Sequence, residues 1–178
     1  MKYYQLRSGQ MLTIREAQKG DAAVIIDYVS KVGAETDNLT FGKGEFGISE
    51  DKEAAIIETI TKSDNQLMLC AFIDEKLVGQ LVFRGGSRPR TRHTGEFGIT
   101  VLKEHWGMGV GTELINQLIV WAKETQIIWK INLGVRSDNQ RAISLYRKLG
   151  FVSIGTITRE FFINSKFYDS IYMGLEIN

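Results

Sequence analysis

Two hydrophobic periods alternate along this chain, and their order predicts its architecture. After a polar leader over residues 1–10, "MLTIREA" puts apolar side chains at every second position, the period of a half-buried strand. "KGDAAVIIDYVSKVG" switches to a period of three to four. It predicts a helix with Asp21 as N-cap, Gly33 as its stop, and Val24 or Ile25, Tyr28, Val29 and Val32 as the inward stripe. "AETDNLTFGKGEFG" has three glycines, two phenylalanines and no period, which predicts a loop with aromatic lining. A second helix begins at Ser49, with Glu50 and Asp51 complementing the dipole in its first turn.

From Gln66 the pattern turns to strands. "QLMLCAFI", the turn "DEK" and "LVGQLVFRG" predict an antiparallel hairpin. The basic loop "GSRPRTRHTG" then leads to "EFGITV", where Phe97, Ile99 and Val101 share one face and Glu96, Gly98 and Thr100 the other. "HWGMGVGTEL" opens a helix that carries Val110, Leu114, Leu118 and Trp121 on one side. The strand "KINLGV", a helix from about Asn139 to Leu149 closed by Gly150, and the strands "FVSIGTIT" and "FYDSIYMGLEI" complete the chain. This order describes a mixed α/β sheet with helices on its faces.

Composition narrows the function. With 178 residues and 43% hydrophobic content, the chain has one domain's worth of core, so residues 1–178 are read as a single domain. Lys and Arg total 22 against 21 for Asp and Glu, a balance that offers no attraction to nucleic acid or an anionic membrane. The lone Cys70 has no disulfide partner, and no apolar run approaches the roughly 18 residues of a membrane span. A soluble, cytoplasmic protein is expected. Two histidines and one cysteine, far apart, give no metal-ligand spacing, so no metal is expected either. Cys70 sits in an apolar strand and reads as core.

The chemistry concentrates at Gly107, Gly109 and Gly111. A strand that ends in a glycine-rich turn and opens a helix presents unpaired N–H groups backed by the positive end of the helix dipole. Glycines there let an anion approach those amides. The spacing is not the G-x-G-x-x-G of a dinucleotide turn. Nor is it a triphosphate loop, because Gly111 is followed by Thr112 and Glu113 rather than by Lys. Taken alone, the glycines are equally consistent with a tight strand-to-helix turn.

One strand and one helix later stands "VRSDNQRAISLYRKLGF". "WGMGVG" followed by "NxxAxxLYxKLGF" resembles the GNAT superfamily of acyl-CoA-dependent N-acyltransferases, whose element order the whole chain matches. The resemblance implies a mostly antiparallel central sheet with helices on both faces and two strands splayed apart to admit the pantetheine of acetyl-CoA, the co-substrate. It further implies that the amides of Trp106, Gly107, Met108, Gly109, Val110, Gly111 and Thr112 hold the pyrophosphate. Main-chain amide near Val101 or Leu102 would polarise the acetyl carbonyl. Trp106 departs from the family, which usually has Gln or Arg at that position.

An alkylammonium with a pKa of about 10 must lose a proton before it attacks a thioester. Glu96 stands where many family members carry a base; as a bare residue it reads equally well as a strand-end carboxylate paired with Arg88, Arg90 or Arg92, or simply solvated. His93 is a weaker substitute. Tyr146 matches the family's general acid, which assists the leaving thiolate. Asn139 lies two helical turns earlier on the same face, to hydrogen-bond the pantetheine or the helix start. Without the motif the two read as a core aromatic and an N-cap. The arginines of "SRPRTRH" would meet an adenosine phosphate or an anionic substrate, or simply be solvated.

The implied function is acetyl transfer to a primary amine of a small molecule or a protein N-terminus. "DNLTFGKGEFG" and "REFFINSKFYDSIYMG" would line the acceptor, with Glu45 and Asp169 as candidate attractors of a cation. The aromatic residues Phe41, Phe46, Phe161, Phe162, Phe167 and Tyr168 would suit the apolar stem of an amine, while those of the last two strands read first as core or as a homodimer interface. The ending "FYDSIYM" resembles a branch that includes ribosomal-protein N-terminal, polyamine and amino-acid acetyltransferases. The rivals are a non-catalytic acyl-CoA-binding sensor on the same fold and a nucleotide-binding oxidoreductase, which the glycine spacing disfavours.

Overall fold

A turn at Asp74 and Glu75, both at positive φ, folds strand β3 (Gln66–Ile73) back onto β4 (Lys76–Gly85). Around this hairpin the computed structural model, which describes residues 1–178, builds an eight-stranded sheet. Before the hairpin come β1 (Lys2–Gln5), β2 (Met11–Glu16), α1 (Ala22–Glu35) and α2 (Glu50–Thr61). After it come β5 (Thr94–Val101), α3 (Val110–Thr125), β6 (Lys130–Arg136), α4 (Gln140–Lys148), β7 (Val152–Ile163) and β8 (Lys166–Glu176). The strand order is β1-β2-β3-β4-β5-β6-β8-β7, antiparallel throughout except where β5 meets β6.

The helices divide between the two faces, as the sequence implies. α1 and α2 bury Ile25, Tyr28, Val29 and Ile57 against Met68, Cys70 and Leu77. α3 and α4 bury Leu114, Leu118, Ile143 and Tyr146 against Leu69, Phe83, Phe97 and Phe151. Both sides of β3 are therefore covered, which is why "QLMLCAFI" is apolar without alternation.

Three local expectations change. Residues 1–10 are more than a leader, since Lys2–Gln5 pair with Met11–Ile14 as an edge strand. Gly33 does not stop α1 but lies inside it, because a side chain there would meet the Phe41 ring at 3.1 Å. The inward stripe of α1 runs through Ile25, while Val24 is 45% exposed.

Asp21 stands at the start of α1 but caps no helix amide with its side chain. Its carboxylate instead takes both ends of the Arg15 guanidinium, at 2.6 and 2.8 Å, and the Gln18 amide at 2.7 Å. Arg15 also lies over the Phe72 ring, 4.6 Å from its centroid, so the pair pins β2 and β3 to the entrance of α1. The hydrogen bond from Arg15 holds the Asp21 carboxyl below its ordinary value. A depressed folded-state pKa contributes stability that is complete above the unfolded value, about 3.9, and is lost as pH falls through the folded one. Asp21→Asn should therefore cost roughly 2 kcal/mol at pH 7 in urea unfolding. The gap to wild type should begin to close below about pH 4 and vanish once the pH is below the depressed folded-state value; a gap that does not narrow as the pH falls would refute the ion-pair account.

Candidate active site

The site begins where the sheet comes apart. β5 pairs with β4 along its whole length, from Gly95–Gly85 to Val101–Gly79. β6 likewise pairs with β8 out to Arg136–Ser170. Between them β5 and β6 share only Thr94–Lys130, Gly95–Ile131 and Glu96–Asn132, and beyond Glu96 they diverge. The Leu102 amide donates to the Val78 carbonyl at 3.0 Å, which makes Val101–Gly79 a non-hydrogen-bonded pair. The Val101 N–H and C=O therefore point away from β4 and into the gap, and by alternation so do those of Ile99. The Ser137 amide donates to the Asp169 carbonyl at 2.8 Å, and by the same parity the backbone of Gly134 faces the gap from β6. The Val101 carbonyl is taken by the Trp106 indole, and the remaining unpaired peptide groups of the gap suit an extended ligand with amides of its own.

At the open end of the gap lies the glycine loop. Gly107 and Gly109 have φ of 83° and 106°, a left-handed backbone that ordinary side chains resist. Gly111 sits in the first turn of α3, where a Cβ would make ordinary contact with Leu145, Ile99 and Val101 at 3.6–3.9 Å. None of the amides from Gly107 to Thr112 has an acceptor within the chain, and α3 begins among them. That donor set, at a helix N-terminus, fits a phosphate-type anion. Val110 is buried in the core, so its part in such a site is its amide.

Two of the expected donors are already engaged. The Trp106 amide donates to Lys103 at 3.2 Å, which removes it from the run of free amides. Leu102, 1% exposed, has its amide on Val78, so Val101 is the residue of that pair with a free N–H in the gap. Trp106 contributes differently. Its indole N–H donates to the Val101 carbonyl at 2.7 Å, and the Arg141 guanidinium of α4 lies over its ring, 5.2 Å from the centroid.

At the apex of the gap Glu96 and Tyr146 occupy opposite faces of the sheet. Tyr146 packs edge-on against Phe97 at 6.1 Å and Phe151 at 6.0 Å. Burial pushes its phenol up to about 12, so it remains protonated at neutral pH. No group of the chain hydrogen-bonds its hydroxyl, and that oxygen is not fully enclosed. Glu96, on the α1/α2 face, is solvent-accessible and forms no ion pair; of the three arginines read as its partners, Arg92 pairs with Asp64. Crowding of its surroundings and then the Glu160 carboxylate of β7 raise its pKa. Tyr172, on β8, is raised by burial and then by the same two carboxylates, which places all three side chains together. Beside Glu96 in the parallel register, Asn132 donates to the Thr94 hydroxyl at 3.0 Å and leaves its own carbonyl oxygen unpartnered.

The remaining candidates resolve on geometry. Asn139 is an N-cap, its oxygen accepting from the Ala142 amide at 3.2 Å. The loop of Arg88, Arg90 and Arg92 precedes β5 and the glycines follow it, so those arginines lie at the opposite end of the strand from the anion cradle. His93 is exposed at that same far end. Cys70 is buried in the α1/α2 core, and burial pushes its thiol up to about 12, the state of an inert core residue. Glu45 accepts the Gly42 amide at 2.7 Å within its own turn, and Asp169 on β8 accepts the Arg159 amide at 2.9 Å across to the irregular stretch of β7. Phe41 and Phe46 pack on the α1/α2 core, whereas Phe162 and Phe167 stack in the open at 4.7 Å on the last hairpin. Asn132, Glu160, Tyr172 and Arg141, and the backbone of Ile99, are not singled out for the site by the sequence; only strand register and helix placement bring them there.

Known proteins share this architecture. The model of the acetyltransferase (GNAT) family matches residues 36–151. A crystal structure of a GNAT-family acetyltransferase from Streptococcus pneumoniae superposes with a TM-score of 0.91 at 33% identity, covering 94% of this chain and 99% of that one. An L-amino acid N-acetyltransferase of Escherichia coli K12 is 34% identical over 109 residues, 61% of this chain and 66% of that protein. A spermidine N(1)-acetyltransferase of Vibrio cholerae is 38% identical over 74 residues, 42% of this chain and 43% of that protein. The chain thus aligns with less than two thirds of either curated relative.

The dihedrals separate the three loop glycines. Gly107→Ala and Gly109→Ala should each lower stability by on the order of 1–2 kcal/mol through backbone strain. Gly111→Ala should leave the thermal midpoint unchanged or raise it, since alanine is the better helix former. Equal losses at all three positions in calorimetric melts would contradict the assignment.

Proposed function

The chain belongs to the acetyltransferase (GNAT) family, and on that premise we propose that it transfers the acetyl group of acetyl-CoA directly to a primary amine of a small molecule or a protein N-terminus. The observation that carries the proposal is the gap between β5 and β6, with free amides of the glycine loop at its mouth and Glu96 and Tyr146 on opposite faces at its apex. Gly107 to Thr112 would hold the pyrophosphate on their amides, and the backbone of Val101, Ile99 and Gly134 would pair with the amides of the pantetheine arm. Acetyl-CoA supplies the activated acetyl thioester.

The amine would approach from the α1/α2 face. It arrives as an ammonium, for which the carboxylates of Glu96 and Glu160 are favourable neighbours. Glu96 accepts one proton to give the free amine, the nitrogen bonds to the acetyl carbon, the carbon–sulfur bond breaks, and the second proton shed by the nitrogen passes through solvent to balance the departing thiolate. The β5 amides that face the gap, those of Ile99 and Val101, are the donors available to polarise the carbonyl, and Ile99 is the nearer to Glu96. The thiolate leaves towards the α3/α4 face and the Tyr146 hydroxyl. A phenol raised to about 12 surrenders its proton reluctantly to a thiolate of pKa near 8.5. Tyr146 therefore acts chiefly by donating a hydrogen bond to the sulfur. A pKa raised by crowding and by Glu160 brings Glu96 closer to the working pH of a base. The two curated relatives act on an amino acid and on a polyamine by name, and both acceptors carry an ammonium.

Calorimetric titration with acetyl-CoA should give micromolar binding that Gly109→Glu abolishes. Tyr146→Phe should keep that affinity while lowering kcat about 10- to 100-fold in a thiol-release screen of amines. No heat from folded wild type would sink the proposal; binding without turnover of any amine would leave the acyl-CoA sensor. Once an acceptor is in hand, Glu96→Gln should lower kcat/KM by about 10²–10⁴-fold. The acid limb of wild-type kcat/KM should lie above the ordinary carboxylate value of about 4.3. Removing a like charge favours the ionised form of Glu96, so Glu160→Gln should move that limb to lower pH. An unmoved limb would separate Glu160 from the base.

A further inference from the structure

We propose that Arg141 is a ligand of the acetyl-CoA pyrophosphate, its guanidinium held above the glycine loop by the face of Trp106. This rests on the acetyl-CoA reading above and adds to it a side chain outside the loop itself.

Arg141 is the second residue of α4, and its Nη2 lies 3.2 Å from the position a Cβ on Gly107 would take. It thus covers the first of the two left-handed glycines. No carboxylate pairs with it, and no backbone carbonyl accepts from it, although other arginines of the chain, Arg15, Arg92 and Arg136, have acidic partners. What holds it is the Trp106 indole, 5.2 Å from ring centroid to Cζ. That indole is itself fixed by its N–H on the Val101 carbonyl at 2.7 Å. Stacking on an aromatic face restrains a guanidinium through its π surface and leaves its in-plane N–H donors free. Those donors form a fork matched to phosphate oxygens.

The electrostatics of this arrangement favour an anion. Arg141 stands in the first turn of its own helix, where the dipole is positive and a cation is misplaced. It also stands beside the run of unpaired amides that begins α3, a second region of positive potential. Two helix N-termini and a full positive charge gathered around one loop repel one another unless an anion lies among them. A pyrophosphate seated on the amides of Gly107 to Thr112 turns each of those repulsions into an attraction. The chain from the Val101 carbonyl through the indole to the guanidinium also ties this charge to the gap that would receive the pantetheine.

The test is calorimetric titration of wild type and Arg141→Met with acetyl-CoA and with 3′-dephospho-CoA. Because Arg141 is exposed and its charge opposes the α4 dipole, the variant should melt at or above the wild-type temperature. It should bind both ligands at least about tenfold more weakly, the loss expected for charge-assisted hydrogen bonds. The difference from wild type should shrink as salt is raised, as an ionic contact requires. Arg141→Lys, which keeps the charge but loses the fork, should fall between the two. Unchanged acetyl-CoA affinity in Arg141→Met would overturn the proposal. A loss seen with acetyl-CoA but not with 3′-dephospho-CoA would also overturn it, because it would assign Arg141 to the ribose phosphate. Wild type that binds neither ligand would instead overturn the acetyl-CoA reading itself.

Discussion

The site depends on one interruption of backbone pairing: β5 and β6 run parallel for three residue pairs and then separate. Each strand is held to its full length by its outer neighbour, β4 on one side and β8 on the other, so neither can turn to follow the other. The divergence leaves a wedge through the middle of the sheet, between β5 and β6. Its walls are main chain, and the parity of antiparallel hydrogen bonding decides which peptide groups face inward. Val101, Ile99 and Gly134 do; Leu102, one residue on, does not.

Opposite faces of the same wedge differ in polarity. The α3/α4 side at its apex is aromatic, with Phe97, Phe151 and Tyr146 in mutual edge contact, and there burial keeps a phenol protonated. The α1/α2 side carries Glu96, Asn132, Glu160 and Tyr172, while Tyr28 donates to the Thr100 hydroxyl at 3.0 Å further along β5. An amine and a thiolate, which need opposite treatment of their protons, can thus be served by two environments separated only by the thickness of one strand. Adjacent residues achieve this, because Glu96 and Phe97 necessarily project to opposite faces.

Much of this was legible in the chain. The hairpin, the faces of "EFGITV", the stripes of α1 and α3 and the glycine loop follow from side-chain periods, and periods survive folding wherever a face is buried. Gly33 misled because a helix-internal glycine that admits a neighbouring ring has the same letter as one that ends a helix. Leu102 and the Trp106 amide misled because hydrogen-bond parity and a local 3-10 turn leave no mark on hydrophobicity. Glu160 and Tyr172 were out of reach for another reason. β7 slips against β8 between Ser153 and Gly155 and again between Ile157 and Phe161, so the residues facing Glu96 cannot be counted off from either strand. The contact of Arg141 with Trp106 depends on how two helices sit relative to one loop.

The three shared pairs between β5 and β6 also make the sheet two cooperative pieces rather than one. β1 to β5 form one ladder and β6 to β8 another, joined by that short seam and by the α3/α4 core beneath it. The β5–β6 seam shares three residue pairs, one fewer than β1–β2 or β2–β3 and less than half of any other boundary, so it is where two multi-strand pieces part with the fewest backbone pairs broken, a hinge at Glu96–Asn132. Such breathing would widen the wedge without unfolding either ladder, giving the molecule a soft mode located at its proposed chemistry.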